Sequence, residues 1–136
     1  MIRLLSAAIC LFTSAMSMAT SFTPGMWEFE VRYTMGGMPT NVPKQSFRQC
    51  MQTPVPTVFL QARSCNTMSL KQRGRTVHYK LNCFTENGTL INQGSVRFAQ
   101  GRARGSSRSE LGDAVGRNSV MGYMFSARYL GACSTD

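Results

Sequence analysis

The sequence predicts an all-β protein: an antiparallel, up-and-down meander of about seven strands, curled into a small barrel or a strongly bent sheet, with one short helical turn. Three observations predict this class. Apolar residues recur at every second position along several segments, which is the period of a strand with one buried face. Turn-forming dipeptides such as Gly36-Gly37 and Asn87-Gly88 separate those segments. Past the N-terminus, no long segment shows the period of an amphipathic helix.

The N-terminal stretch predicts a secretory signal peptide over residues 1–19. A short basic start, Met1–Arg3, precedes the apolar run Leu4–Phe12 and then small, weakly polar residues. Ser17 and Ala19 occupy the small-residue positions of a cleavage site, so we expect cleavage after Ala19. An uncleaved anchor is the alternative, but a membrane span needs about 20 apolar residues. We therefore expect an exported chain that is not an integral membrane protein, folded as a single β-barrel-like domain over residues 20–136.

Four cysteines remain after this cleavage. An even number of cysteines in a small exported chain predicts two disulfides, and the spacings contain no close pair of zinc ligands. A hairpin symmetric about Gly74 places Cys65 opposite Cys83, which leaves Cys50 for Cys133. Other connectivities stay open, because a bulge at Gly74 would shift the register by one residue.

The first half of the chain contains two predicted strands and a loop. Apolar and polar residues alternate from Trp27 to Met35, which predicts a strand with one face in water. A turn over Gly36–Pro39 follows, and a second strand is expected over Val42–Cys50. Two prolines and an apolar cluster between Thr53 and Ala62 predict a loop with one helical turn.

The Asn87-Gly88 dipeptide predicts a hairpin with a type I′ turn. On the apolar face the predicted pairs are Val77 with Phe98, Tyr79 with Val96 and Leu81 with Gly94. On the polar face they are His78 with Arg97, Lys80 with Ser95 and Asn82 with Gln93. This register sorts apolar or small residues from polar ones, and a slip by one residue would destroy the sorting.

The last two predicted strands differ in the size of their inward side chains. From Ala103 to Leu111 the inward positions hold mainly alanine, glycine and serine. The strand Met121–Tyr129 supplies larger apolar side chains at every second position. Because small inward residues leave room inside a curled sheet, they favour an interior that binds a small or apolar ligand.

The chain is strongly basic, with a net charge of +9 at pH 7. Four arginines, Arg97, Arg102, Arg104 and Arg108, lie in a segment without acidic residues, and strand alternation sends the last three to one face. Most charge runs are only solvated surface. Beside anionic headgroups and polymers, however, these arginines form an anion-binding patch, because the guanidinium fork suits phosphate. The partner expected there is an anionic envelope lipid or polysaccharide.

Short motifs along the chain resemble those of a known family. They are Pro24-Gly25-Met26-Trp27-Glu28, Met35-Gly36-Gly37-Met38-Pro39, Arg48-Gln49-Cys50 and Gly131-Ala132-Cys133. Together they are similar to a bacterial family of exported proteins known only as domain of unknown function 3617. The resemblance implies a periplasmic protein with paired cysteines, and it implies no activity. The arginine-rich stretch from Arg97 to Arg108 departs from the family pattern.

The residue types that catalysis needs are sparse. The single histidine, His78, falls on the polar face of its strand beside cations, without a carboxylate to orient it. Glu28 and Glu30 form the one carboxylate pair on a strand face, and we interpret them as solvated strand residues. The sequence therefore predicts neither an enzyme nor a cofactor.

Methionine thioethers are the one candidate for a metal site. Met35 and Met38, with Met26 or Met124, offer soft ligands for Cu(I), but methionine more often fills a core, so no metal is expected. Nucleic acid is not an expected partner, because an exported protein meets little of it. The chain also lacks the interleaved aromatic and basic residues of a stacking face.

Two functions follow from these observations. The favoured one is an exported, non-catalytic small β-barrel protein of the bacterial envelope that binds a small or apolar ligand in its interior. The alternative is a structural or interaction protein of the envelope with a packed core, which binds anionic surfaces or a protein partner through its basic face.

Overall fold

The computed structural model describes residues 22–112 and 118–133. The signal peptide expected over residues 1–19, with its cleavage site, lies outside the described residues. The strands are β1 (Gly25–Met35), β2 (Met38–Pro39), β3 (Gln45–Met51), β4 (Ser64–Arg73), β5 (Thr76–Thr85), β6 (Gly88–Ala99), β7 (Arg102–Gly112) and β8 (Asn118–Gly131). A 3₁₀ turn, Val58–Leu60, lies in the segment where one helical turn was expected. The all-β class is therefore confirmed.

The described strands form one antiparallel sheet. Strands β4 to β8 follow one another as a meander, and β8 then pairs with β1, which also pairs with β2 and β3. Because β4 lies at one edge and β2 and β3 lie at the other, this sheet curls without closing. Of the two expected shapes, the strongly bent sheet is the one observed.

The second predicted strand, Val42–Cys50, begins later than expected. Strand β3 starts at Gln45, because Pro43 has no backbone N–H to donate to a neighbouring strand. The backbone N–H of Val42 is instead donated to the hydroxyl of Thr40, 3.4 Å away. The two-residue strand β2 forms in the segment that was expected to be only a turn.

The inward residues of the strands form one hydrophobic core. Its largest fully buried side chains include Trp27, Phe29, Val31, Val77, Tyr79, Leu81, Val96 and Phe98. The segment between β3 and β4 covers this face, and its Phe59 ring packs on Phe29, Tyr123 and Phe125 at centroid distances of 6.2, 5.2 and 5.1 Å. The core therefore lies between the curled sheet and this covering segment.

The small inward residues of β6 and β7 lie under aromatic rings. A Cβ added at Gly105 would come within 2.5 Å of the Phe125 ring, which reaches across from β8. A Cβ at Gly94 would come within 2.8 Å of the Tyr79 hydroxyl, which reaches across from β5. The expectation that the small residues of β7 leave room is therefore wrong at Gly105, because the Phe125 side chain fills the space there.

A buried polar network crosses the middle of this core. Asn92 is fully buried, and its Nδ2 donates to the hydroxyls of Ser107 and Ser109 at 3.2 and 2.8 Å. Its Oδ1 has no hydrogen-bond partner among the described residues. Burial raises the pKa of nearby Tyr79, so this side chain stays neutral. The two bonds from Asn92 favour one register of β6 against β7.

The hairpin between β5 and β6 differs from its predicted register. Thr85 faces Gly88, so Glu86 and Asn87 form the turn in place of a type I′ turn at Asn87-Gly88. The Thr85 hydroxyl holds this turn by donating to the Gly88 carbonyl at 2.9 Å and accepting from the Asn87 N–H at 3.2 Å. The observed pairs are Val77 with Val96, Tyr79 with Gly94, Leu81 with Asn92, His78 with Ser95, Lys80 with Gln93 and Asn82 with Ile91. Since a two-residue shift keeps every side chain on its side, the predicted faces are right and the predicted partners are wrong.

Cys65 and Cys83 face each other on β4 and β5 and are joined by a disulfide, with Cα atoms 4.0 Å apart. The predicted symmetry about Gly74 is nevertheless wrong, because Gly74 and Arg75 together form the turn and shift the adjacent register by one residue. A bulge at Met68 reverses that shift before the cysteines are reached. The cysteine pair therefore agrees with the prediction although the turn does not.

The second disulfide joins Cys50 of β3 to Cys133, just beyond β8, with Cα atoms 5.5 Å apart. Strand β1 lies between these two strands, since Met26 faces both Cys50 and Gly131. The bond therefore crosses the end of β1 and ties its two neighbours together. This is the pairing that the sequence left for the remaining cysteines.

Candidate anion-binding face

The outward side of the sheet carries a group of five exposed arginines on neighbouring strands. They are Arg48 on β3, Arg128 on β8, Arg102 and Arg104 on β7, and Arg97 on β6, and we name them the basic face. Their direction follows from strand alternation, since Ala103, between Arg102 and Arg104, is buried. Their proximity follows from the order of the strands. Strand β3 lies on one side of β1, and β8, β7 and β6 follow one another on the other side.

Two pairs of these arginines stand directly opposite each other across neighbouring strands. Arg97 faces Arg104, and Arg102 faces Arg128. Directly opposed residues have Cβ atoms about 5 Å apart, and like charges at that distance destabilise a sheet. An anion held between such arginines removes this repulsion, so the arrangement favours anion binding.

Glu28 is the carboxylate that lies within the basic face. Its Oε1 accepts hydrogen bonds from Nη2 and Nε of Arg128 at 2.8 and 3.2 Å, and its Oε2 accepts one from Nε of Arg48 at 3.1 Å. These bonds, from Arg128 first and then from Arg48, hold the pKa of Glu28 below its ordinary value. Glu28 is therefore ionised at neutral pH and compensates two of the five arginines in part.

The other three arginines of the basic face lack such a partner. Within residues 22–112 and 118–133, Arg97, Arg102 and Arg104 form no ion pair with a carboxylate. Glu30, the next outward carboxylate on β1, lies 3.9 Å from Lys44 instead. Positive charge that the described carboxylates leave uncompensated attracts anions from solution.

A shallow depression of about 440 Å³ lies among these side chains. The residues that line it are Glu28, Glu30, Arg102, Ala103, Arg104, Ser126, Ala127 and Arg128. Arginine binds phosphate through two parallel N–H donors, and the hydroxyl of Ser126 offers a further donor. The three arginines that line the depression outnumber its two carboxylates, so it offers hydrogen-bond donors and a net positive charge to an anion.

The four arginines predicted from the sequence do not all come together. Arg97, Arg102 and Arg104 belong to the basic face. Arg108 also points outward on β7, but it lies about 13 Å along the strand from Arg104. It also forms an ion pair with Glu110 at 3.0 Å. The structure therefore separates Arg108 from the other three.

Two members of the basic face were not predicted. Arg128 alternates with Ala127 and Tyr129, so its outward direction could be read from the sequence, and consecutive strands such as β7 and β8 commonly pair. Arg48 is brought to the face by the pairing of β3 with β1 and by the pairing of β1 with β8. No local pattern signals the second of these pairings.

The residues considered for catalysis have other surroundings. His78 is exposed and faces Ser95 and Lys71, so its predicted position opposite Arg97 is wrong. Glu28 and Glu30 share the outward side of β1 as predicted. Because Arg48 and Arg128 hold the Glu28 carboxylate in its ionised form, Glu28 is poorly suited to donate a proton.

The four methionines considered as copper ligands are spread over the sheet. Met35 and Met38 face each other across the β1–β2 turn and are both exposed. Met26 lies at the opposite end of β1, about 30 Å from Met35 by strand rise. Met124 faces Arg32 on the outward side of the sheet. The structure therefore brings no third thioether from this group to Met35 and Met38.

Comparison with known proteins gives one family. No helix of the described ranges is long and apolar enough to cross a membrane. No curated protein and no solved structure matches the chain. One family, described as a protein of unknown function, matches residues 22–133, which contain both disulfides and the whole basic face. The chain therefore belongs to this family, domain of unknown function 3617.

Proposed function

We propose that this chain is an exported, non-catalytic protein of the bacterial envelope that binds anionic lipid or polysaccharide through its basic face. The proposal rests on one observation: arginines face each other across neighbouring strands at two places, Arg97 with Arg104 and Arg102 with Arg128. Three of these arginines form no ion pair among the described residues. A phosphate between them relieves the repulsion and accepts charge-assisted hydrogen bonds.

Two features support the exported location. Both cysteine pairs are at disulfide distance, which is typical of an oxidising compartment. The signal-peptide pattern of residues 1–19 and the resemblance to exported bacterial proteins favour the periplasm as that compartment. N-terminal sequencing of the protein from a periplasmic fraction should begin at Thr20, and a chain that still begins at Met1 would contradict the proposed cleavage.

The test of anion binding uses inorganic polyphosphate as a soluble probe. The triple variant Arg97→Gln, Arg102→Gln and Arg104→Gln should bind between about threefold and about 150-fold more weakly than the wild type, because each exposed ion pair contributes about 0.2–1 kcal/mol. Binding by the wild type should also weaken as salt shortens the screening length from about 30 Å to about 8 Å. Titration calorimetry at low and physiological salt measures both effects.

A matched control separates the basic face from net charge. The triple variant Arg63→Gln, Lys71→Gln and Arg73→Gln removes the same charge from exposed cations outside the basic face. It should bind polyphosphate nearly as the wild type does. An equal loss of affinity in both variants would assign the binding to net charge and contradict a specific site.

An interior ligand is the second candidate function, and one cavity favours it. A groove of about 190 Å³ is lined by Phe22, Pro54, Leu70, Val77 and Phe98, with Gln72 and Arg75 as its polar members. Its size and lining suit a small apolar group, and Arg75 offers a positive charge to an acidic end. Extraction of the purified protein with organic solvent, followed by mass spectrometry, should release a defined compound. An extract without one would contradict this candidate.

A further inference from the structure

The outward side of β8 changes from charged to apolar along the strand. After Arg128 and Ser126, the outward residues are Met124, Gly122 and Val120. Met124 and Val120 are 55% and 42% exposed. An exposed apolar strip therefore continues directly from the basic face.

Gly122 separates the two exposed apolar side chains of this part of β8. A Cβ at Gly122 would collide with the hydroxyl of Thr34 on the neighbouring strand β1, so Thr34 occupies the place of the missing side chain. Val120, Gly122 and Met124 also line one depression of about 530 Å³, together with the Gly36-Gly37 turn and residues of β7. We name Val120, Gly122 and Met124 the apolar strip.

Cations lie beside the apolar strip. Met124 faces Arg32 on β1, and Ser126, the next outward residue, faces Arg104 on β7. Arg32, Lys44, Arg104 and Met124 line a second depression of about 480 Å³, together with the carboxylate Glu30. Val120 faces Glu110 on β7, which forms an ion pair with Arg108 at 3.0 Å. An apolar side chain therefore emerges between positive charges on the same side of the sheet.

A partner that covers this surface has to interact with both the basic face and the apolar strip. A soluble polyanion such as a phosphate polymer or a polysaccharide pairs with the arginines, but it leaves Met124 and Val120 in water. A phospholipid bilayer presents phosphate groups and, a few ångströms deeper, acyl chains. Burial of Met124 and Val120 in that layer removes apolar surface from water while the arginines stay at the level of the phosphates.

We propose that the outward side of the sheet docks on an anionic phospholipid bilayer, with the basic face on headgroup phosphates and the apolar strip inserted at the boundary between headgroups and acyl chains. This inference rests on the anion binding proposed above and names a lipid bilayer as the source of the phosphate. It also orients the protein, because β7 and β8 then lie against the membrane surface and the covering segment around Phe59 faces away from it.

The experiment compares two probes with one set of variants. The probes are vesicles of phosphatidylcholine and phosphatidylglycerol in equal parts, assayed by flotation, and inorganic polyphosphate in solution. The double variant Met124→Gln and Val120→Thr should bind the vesicles about tenfold more weakly and polyphosphate as the wild type does. Met68→Gln is the matched control, because Met68 is also 55% exposed and lies on the distant edge strand β4. It should change neither affinity.

The outcomes separate this inference from the proposed function. Polyphosphate binding by the wild type without vesicle binding would overturn the bilayer as partner and leave anion binding in place. Equal vesicle binding by the wild type and the double variant would overturn insertion of the apolar strip. Failure of the wild type to bind either probe would contradict the proposed function itself. Circular dichroism of each variant establishes that it is folded as the wild type is.

Discussion

The two sides of β7 are built on different principles. On the inner side, a Cβ added at Gly105 would meet the Phe125 ring at 2.5 Å, so fit decides which residue is tolerated. On the outer side, Arg102 and Arg104 are exposed and face other arginines, so charge decides which residue is tolerated there. The difference teaches that side-chain fit constrains the inner side of the sheet, whereas charge constrains the outer side, where we propose that anions bind. Neighbouring residues of one strand should therefore have separable effects.

The largest expected effect comes from neighbours on opposite sides of β8. Phe125→Ala should lower the free energy of unfolding by about 3–5 kcal/mol, because it removes a ring packed on Phe29 and Phe59. Met124→Ala, one residue away on the outer side, should change it by less than about 0.5 kcal/mol. Urea unfolding measures both, and equal losses would contradict the comparison.

The two disulfides also differ in how far they are exposed to solvent. Loss of either one should cost about 2–5 kcal/mol. Cys83 is fully buried on the inner side, whereas Cys50 is exposed, so limited reduction should open the Cys50–Cys133 bond first. Peptide mapping after partial reduction and alkylation measures the order, and a Cys50–Cys65 bond in the unreduced map would contradict the connectivity.

The buried polar network gives the next largest effect. Asn92→Ala should destabilise the protein by about 1–3 kcal/mol, because it leaves the hydroxyls of Ser107 and Ser109 without their buried partner. Gln93→Ala, its exposed neighbour on the outer side, should be nearly neutral. Thermal unfolding of the two variants distinguishes them, and a neutral Asn92→Ala would show that the network contributes little.

Glu28 makes the outer side sensitive to acid. Arg128 and Arg48 depress its folded-state pKa, so its stabilisation is complete above the ordinary value of 4.5 and is lost as the pH falls through the lower folded-state pKa. Stability should therefore decline less steeply with acid in Glu28→Gln than in the wild type. Melting temperatures recorded from neutral to acidic pH test this, and parallel curves would exclude Glu28 as a contributor.

The smallest effect has the opposite sign. Arg104→Thr should raise stability by about 0.2–1 kcal/mol, because it removes the repulsion with Arg97 and introduces a residue that favours strands. The same variant should bind polyphosphate more weakly. A variant that is less stable than the wild type would contradict the view that this side is arranged for binding.

Local patterns predicted much of the fold. The alternation from Trp27 to Met35 and in the later strands identified the strands and their faces, because period two is a property of each strand alone. The turns were harder. The hydroxyl of Thr85 holds the β5–β6 turn, and a bulge at Met68 shifts the register of β4 against β5 by one residue. Neither feature has a distinct local sequence signal.

Long-range pairing limited the prediction of the site. A run of arginines identified Arg97, Arg102 and Arg104, but Arg48 joins them only because β1 pairs with both β3 and β8. Long-range pairing also explains why the expectation of space beside Gly105 was wrong. The sequence shows that Gly105 is small, and only the pairing of β7 with β8 shows that Phe125 lies over it.

The position of β8 in the sheet sets an order of assembly. Among the described strands, β8 alone connects the group of β1, β2 and β3 to the group of β4 to β7. Synthesis produces β1 first and β8 last of these strands, so one side of β1 lacks its partner until β8 has been made. The bond between Cys50 and Cys133 can close only after that arrival, so a molecule in which this bond has formed already contains β8.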